Sequence, residues 1–315
     1  MNRFVSLLSA ILLAVGAHAQ FEVFTAMDLE KGEPCDTARY VVYYNMTCVT
    51  DTNPSARTLV DDIMRLELGD RVHYFYSYKA FQADSANAVI MANGGNSFTG
   101  GGNITWRLYK NYPTAGKTSL LEKFGMDRFV CTEDYAAPLW QPVADSSAVI
   151  IGYPCSLAVT TYKGRTWYAW YAEDIPLDAG PWKLGGLPGL ILRAYDSQRH
   201  YVFDATGMVE AAPGTPIYYK GGKYEPVSRK SLNDIYRRYY ADPVGYITNN
   251  PKVTVRRYDQ SGNEITTRES EPYNPIELQG KGSPLPTKRK PPPNLPEGRG
   301  RIADEGNRTG RRVTS

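Results

Sequence analysis

Alternation of apolar and polar positions is the dominant pattern along this chain, with the period of two that is typical of β-strands. Aromatic residues recur at alternate positions in Arg71–Phe81, and Arg39–Thr50 has the Tyr, Val and Thr content of a strand. The clearest hairpin is predicted at Cys155–Tyr162 and Thr166–Glu173, with Lys163-Gly164-Arg165 at its tip. We therefore expect a sheet built from consecutive short strands.

Helical periodicity is rarer than strand alternation. Ser228–Tyr240 places apolar residues on one face and has Ser228 as a candidate N-cap, which predicts a helix. The Ala-rich stretch Gln82–Ala92 predicts a second, shorter helix, and Leu190–Tyr195 with His200–Ala205 predicts a further hairpin. The fold class that follows is mainly β: a single strongly curved antiparallel sheet, or an open half-barrel, with one or two short helices.

The two ends of the chain differ from its body in composition. Residues 1–19 contain Arg3, an apolar run and Ala17-His18-Ala19, which are the three parts of a secretory signal peptide. The apolar run is too short to span a bilayer, so we expect an exported protein, periplasmic, surface-bound or secreted, without a transmembrane segment. Residues 280–315, rich in Pro, Gly and Arg, predict a disordered basic tail. Between them, residues 20–279 are expected to form the β domain.

Charge separates the tail from the body as well. The chain has a formal net charge of +3; the tail has nine Lys/Arg against three acids, which gives +6. Subtracting the +6 of the tail and the single charge of Arg3 from the whole-chain value leaves a net charge of −4 for the β domain. A mildly acidic body predicts no specific nucleic-acid partner. The tail could contact an anionic polymer or lipid, or it could be a solvated segment without a partner.

Four cysteines remain after cleavage of the signal peptide, and in an exported protein an even number suggests disulfides. Four cysteines allow three pairings, and the short intervening loops favour Cys35–Cys48 and Cys131–Cys155. None of the four lies in a C-x-x-C pair. The remaining histidines have no neighbours at ligand spacing, so the sequence predicts neither a metal site nor a cofactor.

Residues 180–192, GPWKLGGLPGLIL, form the most unusual stretch of the chain. They lack the Lys-Ser/Thr of a phosphate-binding loop, the glycine spacing of a dinucleotide-binding turn and the Ser of a nucleophile elbow. Two interpretations remain open. The glycines and prolines could form a structural corner before a buried strand, or the loop could face a ligand, with Trp182 as a platform.

Short motifs surround this corner. They are Gly152-Tyr153-x-Cys155, Lys163-Gly164-Arg165, Ala169-Trp170-Tyr171, Asp174-Ile175-Pro176, Gly180-Pro181-Trp182-Lys183, Gly186-Leu187-Pro188-Gly189-Leu190-Ile191 and, near the end, Asn274-Pro275-Ile276-Glu277. Together they closely resemble the signature of the GLPGLI family of exported Bacteroidetes proteins. That name describes a motif and not an activity. The resemblance therefore implies an envelope location and a β-rich fold, and no catalytic residues.

The sequence favours an exported cell-envelope binding or accessory protein without enzymatic activity. Its ligand or partner site is predicted at a cluster of Arg165, Trp167, Trp170, Asp174, Trp182, Gly186 and Gly189. The partner would be an envelope protein, a peptide, a glycan or an apolar ligand. The alternative is a periplasmic or surface hydrolase in which Asp174 or Glu173 acts with a distant acid or with Arg165. The two acids cannot act together, because adjacent residues on a strand point to opposite faces.

Overall fold

The longest strand, β1 (Glu33–Asp51), lies in the middle of the sheet and pairs antiparallel with three others. Its neighbours are β2 (Thr58–Gly69) on one side, β11 (Tyr201–Glu210) on the other, and β12 (Pro216–Tyr219) beside its first residues. This computed structural model describes residues 32–95, 99–250 and 269–278. The predicted signal peptide (1–19) and basic tail (280–315) lie outside these residues.

Two meanders extend the sheet from β1. The first continues from β2 through β3 (His73–Ser77), β4 (Arg107–Lys110), β5 (Lys117–Phe124) and β6 (Asp127–Asp134). The second comprises β7 (Gln141–Ile150), β8 (Tyr153–Tyr162), β9 (Arg165–Ala172), β10 (Leu190–Asp196) and β11. The two-residue β13 (Glu225–Pro226) pairs in parallel with β6, so the described strands form one mostly antiparallel sheet that is not closed. Both predicted hairpins are confirmed, as β8–β9 and β10–β11.

Three α-helices occur within the described residues: α1 (Tyr78–Ala92), α2 (Arg229–Ala241) and α3 (Pro243–Thr248). The Ser228 hydroxyl accepts from the Ser231 N–H and caps α2, as predicted. The expected number of one or two helices is wrong because α3 is too short to show a helical period. Its start signal is instead Asp242-Pro243, where the Asp242 carboxylate caps the helix and proline occupies its first position. No helix among the described residues is long and apolar enough to cross a membrane.

The sheet buries side chains on both of its faces, and in the first meander the two faces contribute to different clusters. Strand β5 illustrates the division, because Leu120 and Phe124 belong to the larger cluster and Leu121 to the smaller one. The larger cluster also receives residues from β1, β8, β9 and α2. It therefore joins the two meanders. It also contains the three tryptophans of the predicted site, Trp167, Trp170 and Trp182.

The predicted disulfides are absent, because all four cysteines are free and buried in the described part of the chain. Cys35 and Cys48 lie 13 residues apart on the same strand, roughly 40 Å in extended geometry, whereas a disulfide needs Cα atoms about 4.4–6.8 Å apart. Cys131 and Cys155 lie on β6 and β8, with eight strands between them in the sheet order. The pairing prediction was wrong because loop length does not report strand order.

Candidate functional site

The GPWKLGGLPGLIL stretch lies mostly in the loop between β9 and β10, and side chains from other elements fix its backbone. The Lys110 ammonium donates to the Leu184 carbonyl at 2.6 Å, and the Trp140 indole donates to the Gly185 carbonyl at 2.7 Å. Burial lowers the pKa of Lys110 to about 8. One hydrogen bond thus ties the loop to β4 and the other ties it to the connection between β6 and β7, and both satisfy buried carbonyl groups.

Backbone geometry explains two of the glycines in the predicted site. Gly186 has φ +84°, in the left-handed region that other residues rarely adopt. A Cβ on Gly189 would lie 2.1 Å from the Ala172 carbonyl oxygen, so any side chain there would force the backbone to move. The structural-corner interpretation accounts for both residues without a ligand.

The three predicted tryptophans do not lie together. Trp182 packs against Trp167, with ring centroids 5.6 Å apart, and is 1% exposed. Trp170 lies three positions after Trp167 on the regular strand β9, and strand alternation places it on the opposite face. The structure therefore unites Trp167 with Trp182 and separates Trp170 from both.

Arg165 begins β9 and holds the last described segment of the chain, residues 269–278. Its guanidinium donates to Asp196 Oδ2 at 2.9 Å, Asn274 Oδ1 at 2.8 Å, and the carbonyls of Pro275 and Ile276 at 2.6 and 3.0 Å. The side chains of Arg165 and Asp196 are 3% and 2% exposed. Arg165 thus connects two of the quoted motifs, the hairpin tip and the Asn274–Glu277 segment.

Lys183 makes a second connection of the same kind. Its buried ammonium contacts Glu133 on β6 at 2.5 Å and Glu277 in the 269–278 segment at 2.6 Å. Arg229, at the start of α2, also binds Glu133, at 2.8 Å. Burial opposes ionisation of Glu133, yet the two cations together lower its pKa to about 2. The network is compact, and it joins the corner, the sheet and α2.

The 269–278 segment also bonds to the sheet and to α2 through other groups. The Glu271 N–H donates to the Tyr240 carbonyl at 2.8 Å, and the Asn274 amide donates to the Val49 carbonyl at 2.7 Å. The Tyr273 ring stacks on Tyr240 with centroids 4.3 Å apart. The segment therefore lies over the larger core cluster along much of its length.

Between this segment, α2 and the sheet lies a cavity of about 120 Å³. Aromatic rings dominate its walls: Trp106, Phe124, Trp182, Tyr201, Tyr236, Tyr239, Tyr240 and Tyr273. Of the predicted site residues, Trp182 is the one among its lining residues. Arg165 lies behind the wall, with its guanidinium 4.9 Å from the centre of the Tyr201 ring.

Glu122 is the one fully buried charged residue among the described lining residues, and sequence reasoning missed it. It lies on β5, is 2% exposed, and accepts a hydrogen bond from the Tyr236 hydroxyl. Burial raises the pKa of its carboxyl to about 8, although Tyr236 and Arg229 act in the opposite direction. A signal was present in the sequence: Glu122 stands between Leu120 and Phe124 at alternate positions, where an acid interrupts the apolar face of a strand.

The acids of the hydrolase alternative lie elsewhere. Glu173 and Asp174 follow β9 in a turn, and both are exposed. Neither belongs to the lining of the cavity, and neither do Trp170, Gly186 and Gly189. The predicted residues thus fall into three groups. Trp182 lines the cavity, and Trp167 and Arg165 lie behind it. The others, Trp170, Asp174, Gly186 and Gly189, lie outside the cavity.

A family model described as a protein of unknown function (Porph_ging) matches residues 147–193, which include β8, β9 and the corner. The match fits an uncharacterized family found in Bacteroidetes-type proteins, although the name GLPGLI does not occur in it. No curated protein matches the chain.

Two solved structures of PNGF-II, in space groups P21 and C2, are similar to this chain at 15% and 14% identity with TM-scores of 0.43 and 0.41. Each alignment covers 65% of this chain and 34% of the other chain, so the aligned part is about a third of PNGF-II.

Proposed function

We propose that this protein is an exported, non-enzymatic accessory protein of the cell envelope that binds a small ligand in the aromatic cavity. The observation that carries the proposal is the cavity itself: eight aromatic rings and one buried carboxyl line a partly open cavity next to the signature corner. Concave, mostly apolar sites with a few convergent polar groups are the usual form of ligand sites. Trp182 connects this site to the cluster expected from the sequence.

We infer that the sheet is strongly curved, as an open half-barrel, and that the cavity lies on its concave side. Strands β6 and β7 are ten strand spacings apart in the sheet order, roughly 48 Å in a flat sheet. Only residues 135–140 connect them, and this connection reaches about 25 Å at most. The 3.0 Å contact between Lys163, at the β8–β9 tip, and Glu133 on β6 supports the same closure.

The size of the cavity limits the ligand. A volume of 120 Å³ is below the range of drug-sized pockets, and a dry apolar cavity of about 150 Å³ holds benzene. The ligand therefore inserts a small group, such as an apolar side chain of a peptide or one end of a larger molecule. The hydrolase alternative gains no support from Glu173 and Asp174, since both acids are exposed and lie outside the cavity lining.

Binding of toluene tests the site. Toluene added to the wild-type protein should shift amide resonances of lining residues on β5 and α2 and raise Tm. Val60→Phe, which adds a ring at a lining position, should abolish both effects. Val143→Phe on β7, outside the cavity, is the matched control and should preserve them. A wild-type protein that is folded and unaffected by toluene would contradict the proposal.

Export is tested separately. Leu12→Arg places a charge in the apolar run of the leader and should leave the protein in the cytoplasm, whereas the wild type should fractionate with the envelope or the medium. Wild-type protein that remains cytoplasmic would refute the envelope assignment without affecting the binding site.

A further inference from the structure

We propose that the cavity binds an organic cation, in the form of a small alkylammonium group whose nitrogen bonds to Glu122. This inference rests on the proposed function, and it names the class of ligand. It combines three features of the cavity: an incompletely bonded buried carboxyl, aromatic rings in the same lining, and the charges along the lining.

The first feature is the spare hydrogen-bonding capacity of Glu122. A carboxylate offers about four acceptor positions. The Tyr236 hydroxyl takes one of them, and the backbone N–H of Lys123 takes another. Since Glu122 lines the cavity, a donor placed there would fill the remaining positions, and an ammonium carries three donors and the complementary charge.

A comparison with Glu67 sharpens this point. Glu67 is also a buried acid that accepts from a tyrosine, because the Tyr76 hydroxyl donates to it at 2.8 Å. Glu67 has in addition the Arg65 guanidinium at 3.1 Å, and it does not belong to the cavity lining. The protein thus places an arginine directly against Glu67, whereas Glu122 lies against the cavity.

The second feature is the ring content of the walls. Electron-rich faces of Trp and Tyr attract cations within about 6 Å of the ring centre, and the attraction increases when water is excluded. Trp182, Tyr201, Tyr236 and Tyr273 all line the cavity together with Glu122. A cation bound at Glu122 would therefore lie in a cavity that these aromatic rings also line.

The third feature is the balance of charge. The lining includes the acids Glu122 and Glu271 and one cation, Lys123. Arg229 is near enough to influence Glu122 but forms ion pairs with Glu133 and Glu277. The described lining residues thus include one more acid than base, and their summed charge is negative once Glu122 is ionised, as it would be beside a bound cation.

Binding of the ligand would replace the proton on Glu122 with the ligand's ammonium group. In the empty protein at neutral pH the Glu122 carboxyl holds its proton, since burial raises its pKa to about 8. Entry of an alkylammonium stabilises the carboxylate, and the proton of the acid leaves to the buffer, so one cation replaces one proton. Calorimetry at pH 7 in buffers of different ionisation enthalpy should therefore show the release of close to one proton for each ligand bound.

The decisive experiment compares n-butylammonium with n-butanol, which has a similar shape and no charge. Wild-type protein should bind n-butylammonium at least tenfold more tightly than n-butanol. Glu122→Gln should lose this preference and the proton release, while its affinity for toluene stays within about twofold. Glu67→Gln removes the matched buried acid and should leave all three measurements unchanged.

Equal affinity of the wild type for n-butylammonium and n-butanol would overturn the inference, as would an unchanged preference in Glu122→Gln. If toluene binds and n-butylammonium does not, the cation inference fails and the proposed binding function stands. If no probe binds to folded wild-type protein, both fail.

Discussion

Arg165 and Glu122 both have ionisable side chains, and both are buried beside the larger core cluster, yet their surroundings differ. Arg165 donates four hydrogen bonds, to Asp196 and to three residues of the 269–278 segment. Glu122 accepts from Tyr236 and from one backbone N–H, and it lies against an open space of about 120 Å³. The first environment is complete within the chain, and the second is not.

This difference separates structural from functional charge. A buried ionisable group with all its partners rigidifies the fold, whereas one with spare bonding capacity beside a cavity is a candidate for ligand contact. The signature motifs fall largely on the first side of this division. Arg165 and Lys183 attach the 269–278 segment, and that segment closes one wall of the cavity. The corner thus builds the site and contributes one ring, Trp182, to its surface.

The largest expected effect comes from breaking the complete environment. Arg165→Met leaves Asp196 buried without its cation and should lower the free energy of unfolding by about 3–5 kcal/mol. The variant should also expose the 269–278 segment to limited proteolysis. Urea denaturation measures the first effect, and mass spectrometry of the cleavage products measures the second.

Arg193→Met is the matched control, because Arg193 pairs with Asp204 on the same sheet with both side chains about one-third exposed. Its cost should stay below about 1 kcal/mol. If Arg165→Met were no more destabilising than this control, the guanidinium would not be holding the segment.

A smaller effect is expected at the corner itself. Gly189→Ala places a Cβ against the Ala172 carbonyl and should cost roughly 1–3 kcal/mol through backbone displacement. Gly207→Ala on β11 meets no atom within 4 Å and should change stability by less than about 0.5 kcal/mol. Urea midpoints compare the two variants, and equal midpoints would refute the close-approach explanation for Gly189.

The sequence predicted local features far better than the contacts between distant residues. The β8–β9 hairpin and the Ser228 cap follow from neighbouring residues, and both are confirmed. The disulfide prediction failed because it needed the sheet order, which places β6 and β8 far apart along the sheet.

The roles of Arg165 and Glu122 could not be predicted from the sequence, because they too depend on contacts between distant residues. The partners of Arg165 in the last segment lie 109–111 residues away, and Tyr236 lies 114 residues from Glu122. Alternation in β5 does place Glu122 on an apolar face. It does not say whether a partner residue or an open space meets the side chain there.

The pH dependence of stability tests the incomplete environment. The pKa of Glu122 is about 8 in the folded protein, and its ordinary value is 4.5. Between pH 4.5 and pH 8 the folded protein therefore keeps the Glu122 proton, whereas the unfolded chain has lost it. Stability from this group is therefore full below pH 4.5 and falls as pH rises to 8, by up to about 1.4 kcal/mol per pH unit. Glu122→Gln should remove this slope.

Other groups limit the window of that measurement. Burial lowers the pKa of His73 to about 4, so His73 adds stability as pH rises from 4 to 6.5 and masks the slope of Glu122. Lys110 acts above pH 8 with the same sign as His73. The difference between wild type and Glu122→Gln, followed from pH 6.5 to 8, isolates the carboxyl; a constant difference would show that Glu122 titrates normally.

The smallest effect distinguishes the wall of the cavity from the rest of the aromatic core. Trp182 and Trp170 are both buried, but only Trp182 is a lining residue among the tryptophans of β9 and the corner. Trp182→Phe reduces the ring surface at the ligand and should weaken toluene binding about threefold, which corresponds to roughly 0.6 kcal/mol. Trp170→Phe, on the opposite face of β9, should leave the affinity unchanged. If both variants weakened binding equally, the change would reflect general loosening of the core, and Trp182 would be structural like the rest of its corner.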